Sequence, residues 1–166
     1  MPSKTIIKTH GEIKRMLQRL SYEIAESLFT AEEIYLVALN DRGLSIANEL
    51  NHDLSRILPN CTISLGNIDV IGDFTWSGVA PSQVSSNIPV VVIDDVIHSG
   101  STVMKVLVSL YDYGFKTIRT AFLAERNHRN YPISADFIGV SLATTLQEHV
   151  FFDNSDPGDL KLYLDN

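Results

Sequence analysis

Asp94 and Asp95 stand side by side after the apolar run Val90-Val91-Val92-Ile93, and Val96-Ile97-His98-Ser99-Gly100-Ser101-Thr102 follows them. Ionised carboxylates only accept hydrogen bonds, so the pair suits the hydroxyls of a sugar or the water shell of a Mg²⁺ ion. Nothing in their spacing gives each a proton to transfer, so they read as ligand-holding groups rather than an acid–base pair. Ser99, Gly100, Ser101 and Thr102 suit a phosphate. Gly100 permits a tight turn, and a helix starting there aims unpaired N–H groups and its positive dipole end at an anion. His98 lies in the same loop, within reach of a ligand. A second candidate loop is Asn40-Asp41-Arg42-Gly43, where Arg42 brings a guanidinium suited to bidentate phosphate binding. Asp41 beside it repels an anion unless a cation intervenes.

These residues need elements to hold them. Val90–Ile93 reads as a strand buried on both faces, as in parallel sheets. Val103, Val106, Leu107 and Leu110 then follow helical spacing, and Gly114 ends that helix. The acids therefore sit at the carboxyl end of a strand, where open α/β sheets bind ligands. Upstream, Thr9-x-x-Glu12 reads as a capping box for a helix burying Ile13, Leu17, Leu20, Ile24 and Leu28. Its outer face carries Lys14, Arg15 and Arg19. Ile34–Leu39 is a buried strand, Asn40–Gly43 a loop, and Ala47, Leu50, Leu54 and Ile57 a second helix. Thr62–Val70 is a strand. Residues 71–89 form a long mobile loop or hairpin over the ligand end. Further strands are expected at Thr117–Ala124, Ala135–Val140 and, at an edge, Val150–Phe152, with a polar turn over Glu125–Arg129 and an acidic surface tail from Asp153. Alternating strands and helices predict a single α/β domain over residues 1–166. Its sheet is mainly parallel and twisted, with helices on both faces.

Composition limits the possibilities. At 166 residues, 45% hydrophobic and 20% charged, the chain suits one globular domain with a proper core. A net charge of −7 argues against a broad electrostatic grip on nucleic acid or anionic membrane. Cys61 is the single cysteine, which fits a reducing cytoplasm and a small packed residue rather than a nucleophile. No apolar run approaches a membrane span. The five histidines show no metal-ligand spacing.

The run from Val90 to Thr102 resembles the signature of the type I phosphoribosyltransferases: four apolar residues, two acids, and a loop of Gly, Ser and Thr. The resemblance implies that Asp94 and Asp95 contact the ribose of phosphoribosyl pyrophosphate, and Mg²⁺ indirectly. It also implies that His98–Thr102 surround the 5′-phosphate and that Asp41, Arg42 and Gly43 form the pyrophosphate loop. Within the class the chain is similar to the bifunctional uracil phosphoribosyltransferase and pyrimidine-operon attenuator family. Glu125-Arg126-Asn127-His128-Arg129-Asn130-Tyr131-Pro132-Ile133 is similar to that family's Asp-Arg-Gly-His-Arg-x-x-Pro-Ile. Asp136-Phe137-Ile138-Gly139 is similar to its Asp-aromatic-apolar-Gly. This carries Arg126, Phe137 and Ile138 over as base-binding residues, with Phe137 stacking on a base and the Ile138 backbone reading its edge. The implied function is transfer of ribose 5-phosphate to uracil, with a hypoxanthine or guanine acceptor as the alternative base and a homodimer as the assembly.

The chain departs from that pattern. No Lys or Arg occurs from Ile57 through Met104, although the family's lid carries an Arg. Val140-Ser141 replaces the usual Lys-Asn, Asn127 replaces a Gly, and Asp41 replaces a Thr. These changes motivate a weakly active or non-catalytic sensor of nucleotides on the same fold. A third expectation is an RNA-binding regulator using Lys14, Arg15, Arg19, Arg126 and Arg129.

Overall fold

Ile34–Leu39 is apolar at every position because both faces of its strand are covered. The computed structural model, which describes residues 4–145 and 148–165, runs β1 (Thr5–Lys8), α1 (His10–Ser27), β2 (Glu33–Leu39), α2 (Asn40–Ile57), β3 (Thr62–Asp69), β4 (Thr75–Gly78), β5 (Val90–Ile97), α3 (Ser101–Asp112), β6 (Ile118–Arg126), β7 (Phe137–Leu142), β8 (His149–Asp153) and β9 (Lys161–Asp165). Six strands form the main sheet in the order β4-β3-β2-β5-β6-β7. All its pairings are parallel except that of β4 with β3. Helices α1 and α2 bury Ile13, Leu17, Leu20, Ile46 and Leu50 against Val91 and Ile93 on one face. On the other, Val103, Val106 and Leu110 of α3 meet Val90, Val92 and Phe122. The expected parallel sheet with helices on both faces is present.

The strand order has a consequence for binding. From β2 the chain moves to β3 on one side. From β5 it moves to β6 on the other. The connections leaving the carboxyl ends of β2 and β5 therefore diverge and open a crevice between them.

Local signals explain the helix ends. At the start of α1 the Glu12 carboxylate accepts the Thr9 N–H at 2.9 Å and the Thr9 hydroxyl at 2.9 Å. At the end of α3, Gly114 has φ +91°, its N–H reaches the Tyr111 carbonyl at 2.8 Å, and the Phe115 N–H reaches the Leu110 carbonyl at 3.3 Å. A left-handed residue closes the helix in this way.

Several boundaries differ from expectation. Asn40–Gly43 is the first turn of α2, not a loop, because Asn40 alone (φ +54°) turns the chain from strand into helix. Of the two expectations for residues 71–89, loop or hairpin, the hairpin is present: β4 returns along β3, a 3₁₀ turn follows at Pro81–Gln83, and Trp76, Val79, Val84 and Ile88 pack on the α3-side core. Only the turn at its tip, around the exposed Ile71, reaches over the ligand end. The acidic tail is not merely surface. It contributes β9, the middle strand of a separate antiparallel sheet β1-β9-β8. Val150, Phe152, Leu160 and Leu162 pin this small sheet to the α1–α2 side of the core, and His10 Nδ1 accepts the Leu160 N–H at 3.1 Å. Glu125 and Arg126 end β6 rather than forming a turn.

Candidate functional site

Two strand ends and two helix starts build the site. Where β5 ends, Asp94 and Asp95 are half-buried, and Asp94 Oδ1 accepts the Asp95 N–H at 2.8 Å. Burial first, and then the charge of Asp95, push the Asp94 carboxyl well above the usual carboxylate range. Arg42, half exposed at the start of α2, places Nη1 3.9 Å from Asp95 Oδ2. Gly43 does not line the cavity. It is buried where α2 crosses β5, and a Cβ there would lie 2.8 Å from the Ile93 carbonyl oxygen and 3.5 Å from Asp94 Oδ1. Its job is close approach of the helix to the acid-bearing strand.

The second helix start is the Ser99–Thr102 loop. Gly100 caps α3 at φ +84°. Ser99 Oγ accepts the Ser101 N–H at 3.2 Å, and the Ser99 carbonyl accepts the Asn130 and Tyr131 N–H groups at 3.1 and 3.3 Å. Tyr131 and Ile133 also pack behind Gly100. The segment after β6 thus fixes the loop from outside, a role its sequence did not suggest. His98 keeps an exposed edge, but burial and then the Arg126 guanidinium hold its protonation below the usual histidine range. His149 adds to that opposition, so the fold brings together two histidines that looked scattered in sequence.

Asn40, Asp41, Arg42, Asp94, Asp95 and the whole of His98–Thr102 line one open cavity of about 410 Å³, with Ile71 of the hairpin tip at its rim. It lies at the β2–β5 crevice, with the N-terminal ends of α2 and α3 meeting there. Each end presents N–H groups without intrahelical partners and a partial positive charge. Three lining carboxylates (Asp41, Asp94, Asp95) face one guanidinium (Arg42). Among the described residues no group of three or more His, Cys, Asp or Glu side chains forms a metal cage. Two adjacent carboxylates do fit a Mg²⁺ ion that arrives on a polyphosphate and keeps most of its water.

The expected base-binding residues lie elsewhere. Phe137 is 7% exposed and belongs to the core on the α1 side of the sheet. Ile138 packs toward the other core, and its carbonyl accepts Arg19 Nη2 at 3.0 Å. Arg126 is buried, with Nε donating to Thr144 Oγ1 and Nη2 to the Thr145 carbonyl, both at 2.9 Å. Sequence reading missed Phe151, exposed on β8, which lines a cleft of about 270 Å³ with Lys4, Arg42 and Tyr163. Arg42 borders both this cleft and the main cavity. The His149 ring lies 6.3 Å from that of Phe151 on the same strand face. Alternating exposure along β8 was the available signal, but the sequence alone did not show that β8 borders a cleft shared with Arg42.

The basic residues do not form one free patch. Lys14 pairs with Glu49, and Arg19 with Glu23 and the carbonyls of β7. Arg129 pairs with Glu125 at 3.2 Å and bonds the Ile133 carbonyl. The Cys61 thiol is half-buried and pushed up by that burial, the opposite of an activated nucleophile.

Paired acids between two helix ends, at the switch point of a doubly covered parallel sheet, define the type I phosphoribosyltransferase class. The chain belongs to the phosphoribosyl transferase domain family, whose description matches residues 3–153. It is similar to the bifunctional protein PyrR of Listeria welshimeri, at 32% identity over 164 residues covering 90% of this chain and 89% of that protein. The PyrR of Syntrophobacter fumaroxidans is 33% identical over 156 residues, covering 87% and 83%. Among solved structures, two crystal structures of a hypoxanthine-guanine phosphoribosyltransferase from Bacillus anthracis share the fold. One has a TM-score of 0.71 at 16% identity, covering 96% of this chain and 99% of that one. The other has a TM-score of 0.65 at 18% identity, covering 84% of each.

Proposed function

We propose that the chain transfers ribose 5-phosphate from phosphoribosyl pyrophosphate to a nucleobase, with Mg²⁺, and that the base is uracil, giving UMP and pyrophosphate. The observation that carries this reading is the pair of helix N-termini flanking Asp94 and Asp95 in one cavity. A sugar with phosphate at both ends matches that arrangement. The 5′-phosphate sits at Ser99–Thr102, the ribose hydroxyls on the acids, and the diphosphate near Arg42 and the start of α2. A base nitrogen gives up its proton to solvent and forms the new bond to the anomeric carbon while the bond to the diphosphate oxygen breaks, so negative charge grows on the leaving group. Arg42 and the α2 N–H groups stabilise that charge. The excess of carboxylates over cations in the cavity favours a diphosphate that carries its own Mg²⁺, which neutralises charge on the leaving oxygens when bound. Phe151 and His149 take the place of Phe137 as the surface on which the base rests.

The PyrR relatives, described as bifunctional, favour uracil over hypoxanthine or guanine as the acceptor. Their resemblance also keeps an RNA-binding role in view, against which stand the net charge of −7 and the internal pairing of Lys14, Arg19 and Arg129. A sensor without turnover is the second reading. It rests on the hairpin tip, which brings Ile71 rather than a cation to the cavity rim. Loss of one preorganised donor costs roughly 10²–10³ in rate.

The assembly is a homodimer through α3. Met104, Val108 and Tyr111 leave an exposed apolar stripe on that helix for a second copy to cover. Val108→Glu should convert a dimer to monomer in sedimentation, and a monomeric wild type refutes this. The lone half-buried Cys61 suits a cytoplasmic setting.

The deciding experiment is pyrophosphate release from Mg²⁺-phosphoribosyl pyrophosphate with uracil, hypoxanthine, guanine and adenine in separate reactions. Release with uracil alone is expected. Binding without release for any base would favour the sensor, and no binding at millimolar ligand overturns both readings. A gel shift with pyrimidine-leader RNA at stated salt tests the regulator.

A further inference from the structure

We infer that Arg129 is a positioning residue for the Ser99–Thr102 loop: by clamping the segment after β6, it aims the Gly100 N–H into the main cavity. The inference rests on the reading of that loop as the 5′-phosphate site. Arg129 touches no part of the cavity itself. Only 21% of its side chain is exposed, and its guanidinium is engaged inside the molecule.

Three side chains build the clamp. Glu125 lies near the end of β6, in register with Ile97 of β5 on one side and Ser141 of β7 on the other. The sheet therefore fixes its backbone. Both of its carboxylate oxygens are occupied: Oε1 accepts the Ser141 hydroxyl, and Oε2 lies 3.2 Å from Arg129 Nη1. The same Nη1 donates to the Ile133 carbonyl. Arg129 thus joins the rigid end of β6 to the far end of residues 127–133, which belong to no helix or strand. Pro132 stiffens that far end, where the Ile133 N–H turns back to the Tyr131 carbonyl at 2.8 Å. A charge pair screened from water and held at both ends keeps one geometry, as a freely exposed pair does not.

What the segment holds is one peptide group of the loop. The Asn130 and Tyr131 N–H groups converge on the Ser99 carbonyl at 3.1 and 3.3 Å. In a trans peptide the C=O and the N–H point in opposite directions. Holding the Ser99 oxygen outward therefore turns the Gly100 N–H toward the cavity that Ser99, Gly100 and Ser101 line. Glycine at φ +84° sets little resistance to rotation of the peptide before it, so the orientation is imposed from outside. An N–H aimed in advance at an anion binds it without reorganising when the anion arrives.

Two substitutions of opposite charge separate positioning from electrostatics. Arg129→Met removes the clamp and a positive charge, while Glu125→Gln weakens the clamp and removes a negative one. Charge alone moves anion binding in opposite directions in the two variants, whereas lost positioning weakens it in both. Calorimetry with Mg²⁺ compares ribose 5-phosphate, which reaches the loop, with pyrophosphate, which does not. Affinity for ribose 5-phosphate should fall about tenfold in Arg129→Met and about threefold in Glu125→Gln, with pyrophosphate within about twofold of wild type in both. Arg129→Lys, which keeps the charge, should lose less than Arg129→Met. Hydrogen exchange at the Asn130 and Tyr131 amides should quicken in the order of the affinity losses. If Arg129→Met does not fold, Glu125→Gln and Arg129→Lys carry the same comparison. Glu125→Gln that binds ribose 5-phosphate at least as tightly as wild type overturns the inference, because any loss in Arg129→Met is then lost charge. Equal loss of both ligands overturns it too, since that marks general damage to the fold. Wild type that binds pyrophosphate but not ribose 5-phosphate overturns the reading of the loop itself, and this inference with it.

Discussion

Replacing Gly43 with Ala should destabilise the protein and weaken ligand binding, although Gly43 lies in a helix with negative φ. In an unhindered helix interior, Gly→Ala gains up to about 1 kcal/mol. Here a Cβ would stand 2.8 Å from the Ile93 carbonyl oxygen and 3.4 Å from Asp94 Cα. Both are backbone atoms of the central strand, so no flexible side-chain end can yield. Overpacking of this kind costs ~1–3 kcal/mol, and a backbone obstacle favours the upper part of that range. The net loss is then about 2 kcal/mol, which for a domain of this size lowers the unfolding midpoint by roughly 4–8 °C. The helix must also move away from β5 by some tenths of an ångström, taking Arg42 from Asp95. A misplacement of about 1 Å can cost 10²-fold in a preorganised site, so roughly tenfold weaker phosphoribosyl pyrophosphate binding is expected. Gly11 provides the control. It lies in the exposed first turn of α1, where a Cβ would meet nothing closer than Arg15 Nη1 at 3.6 Å. Gly11→Ala should leave binding unchanged and raise the midpoint slightly. Thermal unfolding and calorimetry on the two variants test the argument. A Gly43→Ala protein at least as stable as wild type, with unchanged affinity, would refute it.

Asp94→Asn should abolish base-dependent pyrophosphate release while stabilising the ligand-free protein at neutral pH. Burial and Asp95 raise the Asp94 pKa, so its contribution to stability is present below the unfolded value and is lost as pH rises through the folded one. Denaturation midpoints from about pH 4 to about pH 8 should fall more steeply for wild type than for the variant. For His98 the sign is reversed: with a depressed folded pKa, its contribution is present above the unfolded value and is lost as pH falls through the folded one. A phosphate beside it favours protonation, so binding should take up a proton in wild type and not in His98→Gln, as read by calorimetry in buffers of different ionisation enthalpy. Phe151→Ala should raise KM for the base and spare stability, whereas Phe137→Ala should cost ~3–5 kcal/mol of folding energy. The opposite pattern would return the base to Phe137.

The parts of this protein legible in its sequence are those whose causes are local. The β5–loop–α3 unit announces itself through four β-branched residues, two acids, a left-handed Gly100 and an apolar helical stripe, all within one stretch. The capping of α1 by Glu12 and the closure of α3 by Gly114 are equally local. Gly43 was visible but its purpose was not. A glycine in sequence suggests a turn, while a glycine where a helix crosses a strand records a distance to Ile93, fifty residues away. The same holds for Phe137. An aromatic after an Asp is compatible with stacking or with core packing, and only the pairing of Ala121 with Phe137 and the passage of α1 over β7 decide between them.

The small sheet is the extreme case of a non-local cause. β1 and β9 come from opposite ends of the chain, and neither alternates strongly enough to read as a strand alone. Tyr163 pairs with both Ile6 and Phe151. Leu160 and Leu162 then bury against a core that the intervening elements have already built. An acidic, polar tail became the middle strand of a sheet because its neighbours on both sides supply hydrogen bonds and its few apolar residues face inward. That sheet brings Phe151 and Lys4 to a cleft that Arg42 shares with the main cavity. The half of the site proposed to bind phosphate therefore follows from contiguous sequence, where the chemistry dictates residue type and order. The half proposed to bind the base depends on where β1, β8 and β9 meet, which leaves residue types freer and makes specificity the part least visible before folding.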